Sequence, residues 1–462
     1  MRAYNGRITA LTLALMMITV GGRSVRAEGV APDTTQAGTP ITFDDAVQIA
    51  LKQNISIAQA QNAAASDAAS VRGAKMSFLP NLQLSTSGSQ TYGRNFSETT
   101  GDVLNRNMQS LNAGISSSIT LFNGLQNVDA LRQAEKTQDA GNLDLTRAKQ
   151  TAVFTVASNY LSIITAQEQL KVQQENLASL EAQEAEIKKL VDAGARAISD
   201  LYSQQAQTAA SRLAVVNAQH DLELGKVDLV QTLRLDPKGA YDFVAPTVDE
   251  SAAAGASYNL DSLVNLAYAQ RADLAAESAR LDASAQAVKA ANAGWWPTVS
   301  LSAGYNSSYS SAAAAPFVNQ LDQARGGSVA IGVSIPIFDR GQTSVDAQKA
   351  KIQEDNARLA LESQKQQVAL EVKRAYLDFQ SAGEQLAAAQ AQQKASDLAV
   401  TTSQQRYQAG AGTLVELTQA QAAQVQAASA VVNARYSLVF QQALMSYYTG
   451  QLDPGHTLLS AA

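Results

Sequence analysis

Residues 328–338 read Ser328-Val329-Ala330-Ile331-Gly332-Val333-Ser334-Ile335-Pro336-Ile337-Phe338. Val329, Ile331, Val333, Ile335 and Ile337 take every second position, with Ser328, Gly332 and Ser334 between them. Successive side chains of a strand point to opposite faces, so the spacing predicts a strand with one apolar face and one small, polar face. Pro336 has no backbone donor and marks where that strand ends. The stretch 111–121 has the same pattern. Leu111, Ala113, Ile115, Ile119 and Leu121 alternate with Asn112, Gly114, Ser116, Ser118 and Thr120, and Ser117 is the one polar residue on the apolar side. Leu82-Gln83-Leu84-Ser85 and Val299-Ser300-Leu301-Ser302 are the expected hairpin partners. Such strands suit a place between lipid and a watery lumen. They also suit a half-buried soluble sheet, and the pattern alone does not separate the two.

The chain repeats itself. Phe78-Leu79-Pro80 returns as Trp295-Trp296-Pro297 at an offset of 217, and Leu121-Phe122-Asn123 returns as Ile337-Phe338-Asp339 at 216. Tyr160 falls on Tyr376, Ala193-Gly194-Ala195 on Ala409-Gly410-Ala411, and Asp200-Leu201 on Glu416-Leu417, all at 216. Leu235-Asp236-Pro237 meets Leu452-Asp453-Pro454 at 217. Matched Pro, Gly, Phe and Tyr landmarks at nearly one offset indicate a duplicated unit rather than a chance match of Ala-rich helices. The expected division is a first repeat over 41–240, a linker over 241–258, a second repeat over 259–454 and a tail over 455–462.

Each repeat reads as helix, strand pair and long helical hairpin. The segments 44–76 and 261–293 are rich in Ala and Gln, carry acids near their starts and stop before a proline, as single helices would. The polar stretches 93–107 and 307–326 read as loops joining the strand pairs. After Phe122 and Phe338 the pattern turns helical over about 126–191 and 342–408. At 1.5 Å per residue such helices reach roughly 100 Å, beyond any globular domain. They end at Ala193-Gly194-Ala195 and at Ala409-Gly410-Ala411-Gly412, where glycine suits a left-handed helix cap, and returning helices run to about 233 and 447.

Context favours the membrane reading of the strands. Phe78, Phe122, Trp295, Trp296 and Phe338 fall at the ends opposite the loops, where they would form an aromatic belt against lipid. Each would serve equally as a core residue where helix meets strand, but together they favour the belt. Four strands cannot span a bilayer alone, because two sheet edges would leave backbone groups unpaired in hydrocarbon. Three copies would close twelve strands into a barrel and gather the hairpins into a tube. The expected fold class is therefore mainly α with a small β part: a trimeric twelve-stranded transmembrane β-barrel on a long α-helical barrel.

Composition agrees. Apolar residues are 46% of the 462, but only 16% are charged and 6% aromatic, the arithmetic of Ala-rich helix. There is no cysteine and only His220 and His456, which removes disulfides, thiolate metal sites and most triad chemistry. His220 reads as a polar helix-face residue, His456 as part of the tail, and Tyr160 and Tyr376 as packing residues. No phosphate loop or nucleophile motif stands out, so neither an enzyme nor a cofactor is expected. Residues 1–27 read as a signal peptide: Arg2 and Arg7, an uncharged run over 8–20, then Val25-Arg26-Ala27. Its removal, followed by a linker over 28–40, leaves 31 basic against 41 acidic side chains and moves the net charge from −6 to −10. An acidic chain has no general affinity for nucleic acid.

The duplicated helix, strand pair, Phe-Asn-Gly or Phe-Asp-Arg-Gly junction and long hairpin resembles the outer-membrane efflux protein family typified by TolC, over residues 41–454. The resemblance implies a homotrimeric channel: a barrel in the lipid of a Gram-negative-type outer membrane and a periplasmic helical tunnel closed at its tip. It implies an equatorial belt built here from 236–258 and the chain end beyond Tyr448. It also implies a periplasmic adaptor protein and, through it, an inner-membrane pump as partners, in an efflux or type I secretion system. For the tip gate it implies roles for Glu416 as the first gate acid, Tyr407 as a latch tyrosine and Asp200 as the latch acid of the other hairpin. Gln419 stands where the second gate acid would be, and Gly412 where the basic latch residue would be. Without the resemblance, Glu416 and Asp200 would read as solvated acids favoured by the helix dipole. A periplasmic adaptor would show one hairpin in a split small-sheet domain, and a coiled-coil envelope protein would show sustained heptads and no membrane strands. The duplication counts against the first and residues 328–338 against the second.

Overall fold

A computed structural model describes residues 39–97, 101–105, 107–244 and 258–452. The signal peptide, nearly all of the 28–40 linker, most of the 241–258 linker, the tail and His456 lie outside the described residues.

Each repeat opens with two helices, not the single helix expected. In the first, α1 (Phe43–Gln53) and α2 (Ile55–Met76) meet at Asn54, whose extended backbone ends one helix while its side chain accepts from Ser56 N and Ile57 N to start the next. The second breaks 217 residues later, at Arg271, between α5 (Leu260–Gln270) and α6 (Ala272–Asn292). No proline marks either break; a polar side chain does.

Between α2 and the next helix lie β2 (Gln83–Thr91) and β5 (Met108–Asn123), and after α6 come β7 (Thr298–Ser310) and β8 (Gly326–Ser334). They form one antiparallel sheet in the order β2-β5-β7-β8. Two segments expected as plain loops hold structure. Within 93–107, β3 (Arg94–Ser97) pairs with β4 (Asp102–Asn105). Within 307–326, β7 continues to Ser310 and a short helix, α7 (Phe317–Gln323), comes next.

Both sheet-to-helix junctions use two consecutive left-handed residues. Gly124 and Leu125 have φ of 67° and 69°, and Arg340 and Gly341, 216 residues on, have 58° and 79°. Glycine moves from first place to second, so each repeat holds one side chain in a conformation costing about 1 kcal/mol. Asn123 and Asp339, also 216 apart, cap the first turn of the long helix beyond each junction: Asn123 Oδ1 accepts from Asn127 N, and Asp339 Oδ2 from Thr343 N at 2.7 Å.

The long helices α3 (Gln126–Asp192) and α8 (Gln342–Gln408) have 67 residues each, while the returning α4 (Ile198–Leu233) and α9 (Leu414–Thr449) have 36. A return of about 54 Å covers only half of a 100 Å partner. The sheet-side half is therefore covered by the opening helices. Along α3, Glu135 meets Lys75 of α2 and Asp144 meets Arg280 of α6, whereas Asn159, Asn176 and Glu181 bond Thr232, Ser211 and Arg212 of α4.

Where the two tiers meet, β1 (Thr39–Ile41) pairs in parallel with β6 (Tyr241–Phe243). Tyr160 is fully buried beneath them, its hydroxyl 3.0 Å from Ile41 O and 2.5 Å from Val244 O, its ring edge-on to Phe43 and Phe243. Burial, with Asp45, Asp242 and Asp44 nearby, pushes its phenol up to about 12. Tyr376, its repeat mate, is only half-buried and accepts from Gln380 Nε2. In the second repeat an ionic group sits at the helix break instead. The buried Arg271 guanidinium bonds Asp273 Oδ2 at 2.6 Å and Glu371 Oε2 at 2.5 Å, and Arg147 of the first repeat lies 3.7 Å from Asp273 while covering the Tyr447 ring.

Burial opposes ionisation of Asp273, but the Arg271 hydrogen bond and the Arg147 and Arg271 charges outweigh it and hold the carboxyl below its ordinary 3.8. Because the folded value is the lower one, the stabilisation is complete above about pH 3.8 and is lost as pH falls through the folded value. Asp273→Asn is expected to cost roughly 3 kcal/mol at pH 7 and to flatten the acid limb of the stability curve. Thermal unfolding in detergent between pH 3 and 7 checks both.

Candidate functional site: pore wall and hairpin tips

No Asp, Glu, Lys or Arg occurs anywhere in β2, β5, β7 or β8. The register sorts what remains into two faces. Rows on one face run Leu84–Ile115–Tyr305, Ile119–Leu301–Ile331 and Phe122–Val299–Val333; rows on the other run Gln83–Ser116–Gly304–Ser328, Ser118–Ser302–Ala330 and Thr120–Ser300–Gly332. The expected alternation in β5 needs one correction. A bulge between Thr120 and Phe122 leaves Leu121 without a ladder partner, so Phe122 rather than Leu121 completes the apolar face.

The apolar face is bare within one chain: Ile331 is 69% exposed and Val333 62%. Polar-face hydroxyls are met by the sheet itself, with Ser89 Oγ 2.7 Å from Ser110 Oγ and Ser302 Oγ donating to Ala330 O. Phe78, Phe122, Trp295, Trp296 and Phe338 all lie at the helix-side end of the sheet and all are more than a third exposed, Phe338 the most. β2 and β8 are the two edges, each unpaired on its outer side among the described residues.

About 100 Å away, at the far ends of α3 and α8, the two hairpins turn at Gly194 and Gly410, both left-handed as the turns require, with φ of 73° and 71°. Gly412 has a different role. A Cβ there would sit 3.2 Å from both Arg406 Cβ and Tyr407 N, so a side chain at this position would crowd the turn, and glycine replaces the basic residue that the family resemblance implies. Basic groups reach the tip from elsewhere. Arg196, on the first hairpin, donates to Tyr407 O at 2.8 Å and lies 4.2 Å from the centre of the Tyr407 ring. Arg406 pairs with Glu416 at 3.5 Å and also donates to Ala411 O.

Tyr407 is buried with Ile187, Leu414 and Leu417. Burial raises its phenol, Arg196 opposes this, and Asp200 and Glu186 add to it. Its hydroxyl has no hydrogen-bond partner among the described residues, and Asp200 reaches it only through space. The chain therefore brings Tyr407 together with Arg196, not with Asp200, and Glu416 together with Arg406. Sequence reading missed Arg196 and Arg406; the signals were an arginine two residues past Gly194 and another one residue before Tyr407. Above the tip, α3, α8 and α9 enclose a cleft of about 600 Å³ lined by Gln183, Glu186, Asp397, Gln421 and Tyr407.

These elements define a class: an outer-membrane protein with a short uncharged sheet on long helical hairpins. Residues 46–233 and 263–451 match the family described as outer membrane efflux protein, and the chain belongs to it. It is 22% identical over 355 residues to the outer membrane efflux protein BepC of Brucella suis, covering 76% of this chain and 74% of that one. It is 26% identical over 345 residues to the pyoverdine export outer membrane protein OpmQ of Pseudomonas putida, covering 74% and 70%. The solved structure of the outer membrane protein VceC of Vibrio cholerae superimposes with a TM-score of 0.76 at 17% identity, over 88% of this chain and 96% of that one. The fold is that of TolC-like channels, with an α-barrel and a β-barrel, and the chain is an outer-membrane efflux channel protein with a periplasmic extension. The family and fold are those of channels rather than of known enzymes, and its members work as trimers with adaptor and pump partners.

The two faces make opposite predictions. Val329→Arg puts a charge on the apolar face level with Ala303, near mid-bilayer, at a cost of roughly 2–4 kcal/mol, and is expected to lower the amount assembled in the outer membrane. Ser334→Arg, on the polar face, is expected to assemble normally. Heat-resistant oligomer in membrane extracts reads both.

Proposed function

We propose that three copies of this chain form the outer-membrane exit duct of a tripartite efflux or type I secretion system. The reading rests on the uncharged four-stranded sheet whose two edges have no partner among the described residues of the chain. Pairing β8 of one copy with β2 of the next, three times over, closes twelve strands and leaves no backbone group open to lipid. The apolar face then meets lipid, Phe78, Phe122, Trp295, Trp296 and Phe338 lie at the periplasmic interface, and the hydroxyl face lines the pore. Residues 1–27 are removed on export, 41–240 and 259–454 are the two repeats, and 241–258 joins them at the equator. A periplasmic adaptor contacts the hairpins and links them to an inner-membrane pump. In detergent the membrane-inserted protein is expected at three times the chain mass; a stable inserted monomer would sink this architecture.

The gate lies at the hairpin tips, and its chemistry differs from a plain acidic ring. Each copy brings Asp200 and Glu416 but also Arg196 and Arg406, so the carboxylates are offset where they converge. Arg196 on Tyr407 supplies the contact between hairpins that Gly412 does not. A cation–π contact and a charge-assisted bond to a carbonyl together favour the closed arrangement by about 1–3 kcal/mol. Arg196→Gln is expected to raise the open fraction in planar-bilayer recordings by about tenfold, the equivalent of about 1.4 kcal/mol. Glu416→Gln frees Arg406 and is expected to lower cation selectivity without altering opening to that extent. Unchanged records from both variants would return these side chains to the role of solvated surface.

A further inference from the structure

The short helix α7 folds back onto β7, and the residues that hold it identify which side of the sheet it occupies. Tyr309 and Ser307 are odd-numbered positions of β7, on the face that carries Leu301 and Tyr305. Ser307 Oγ donates to Leu321 O at 2.7 Å, and the Tyr309 ring meets Phe317 edge-on at 4.9 Å between centres. Gln320 is the buried pin: its Oε1 accepts from Ser310 N at 2.9 Å and its Nε2 donates to Ala315 O. The Ser307 and Tyr309 contacts place α7 against the apolar face, not over the hydroxyl face.

Its height is set by the strand. From Val299, beside the helix-side belt, to Tyr309 is ten residues, about 33 Å along a strand and about 23–25 Å along the normal of a barrel tilted 40–45°. That is the height of an outer-membrane apolar band, which aromatic girdles flank at both interfaces. The helix-side end has its aromatics, and at the far end Tyr309 and Phe317 stand in the matching place. Phe317 packs on Tyr309 and stays 45% exposed, and Val318 beside it is 72% exposed, both ahead of the Asp322–Arg325 ion pair.

We infer that α7 is a lipid-facing anchor on the outside of the barrel, its Phe317 and Val318 set among the acyl chains of the outer leaflet, and not a plug over the pore mouth. The occupant is lipid because α7 continues the bare apolar face at the level where that face ends, and because its charges come only after the apolar turn. The inference rests on the reading of that face as lipid-facing.

The native chain has no cysteine, so a single nitroxide label can be placed at will. The assembled channel in phospholipid vesicles is labelled at Val318→Cys, and in parallel at Val333→Cys on the apolar face and Ser334→Cys on the polar face. Collision with oxygen, enriched in lipid, is compared with collision with a water-soluble nickel chelate. The label at 318 is expected to match that at 333, with an oxygen-to-nickel ratio several-fold above that at 334. A nickel-rich signal at 318 with a normal 333 would put α7 in water and overturn the anchor. Low collision with both would put it against a neighbouring copy and overturn it equally. A nickel-rich signal at 333 would instead defeat the lipid-facing reading of the sheet.

Discussion

Unpaired backbone groups in hydrocarbon are the constraint behind this architecture. Each one costs several kcal/mol where no water can reach it, and β2 and β8 present a row of them on either side of the four-stranded sheet. Soluble proteins protect such edges with lysine, proline or an inward charge. Neither edge strand here carries any of these. The edges are built to be paired, and within the described residues of one chain nothing pairs them. Oligomeric closure is thus a condition for the sheet to exist in lipid.

That sheet has to be joined to helices some 100 Å long, and the join is where the backbone is most constrained. Two left-handed residues in succession turn each strand pair into its long helix, with a side chain bearing the cost once in each repeat, at Leu125 and at Arg340. The opening helices then shield the sheet-side half of α3 and α8, and the returning helices shield the rest. The breaks at Asn54 and Arg271 fall in those opening helices. At the first break the Asn54 side chain caps the next helix, and at the second the Arg271 side chain is held by Asp273 and Glu371.

Duplication supplied the plan, and the two copies have since divided the work. In the first repeat, Tyr160 is sealed under a parallel strand pair and bonds two carbonyls. In the second, the equivalent Tyr376 is half-buried, and the interior holds Arg271 between two carboxylates, with Arg147 reaching over from the first repeat. At the tip the first hairpin contributes Arg196 and the second Tyr407, so the contact joins the repeats and belongs to neither alone.

What sequence alone determined was local and periodic. Alternation at every second residue placed the strands and their two faces, helical spacing and the turn glycines at 194 and 410 placed the hairpins, and a near-constant offset exposed the duplication. The membrane setting of an ambiguous strand also came from the chain as a whole, through the loops at one strand end and the aromatic residues Phe78, Phe122, Trp295, Trp296 and Phe338 at the other. Tertiary structure decided what depends on residues far apart. The bulge that exchanges Leu121 for Phe122 is a matter of register against β7, and α7 lies on the apolar face because Ser307 and Tyr309 hold it there. Asp200 and Tyr407 fit the spacing of the family's latch, but the partner of Tyr407 is Arg196, 211 residues away. No period in the chain carries that pairing, because it exists only once two hairpins have come side by side.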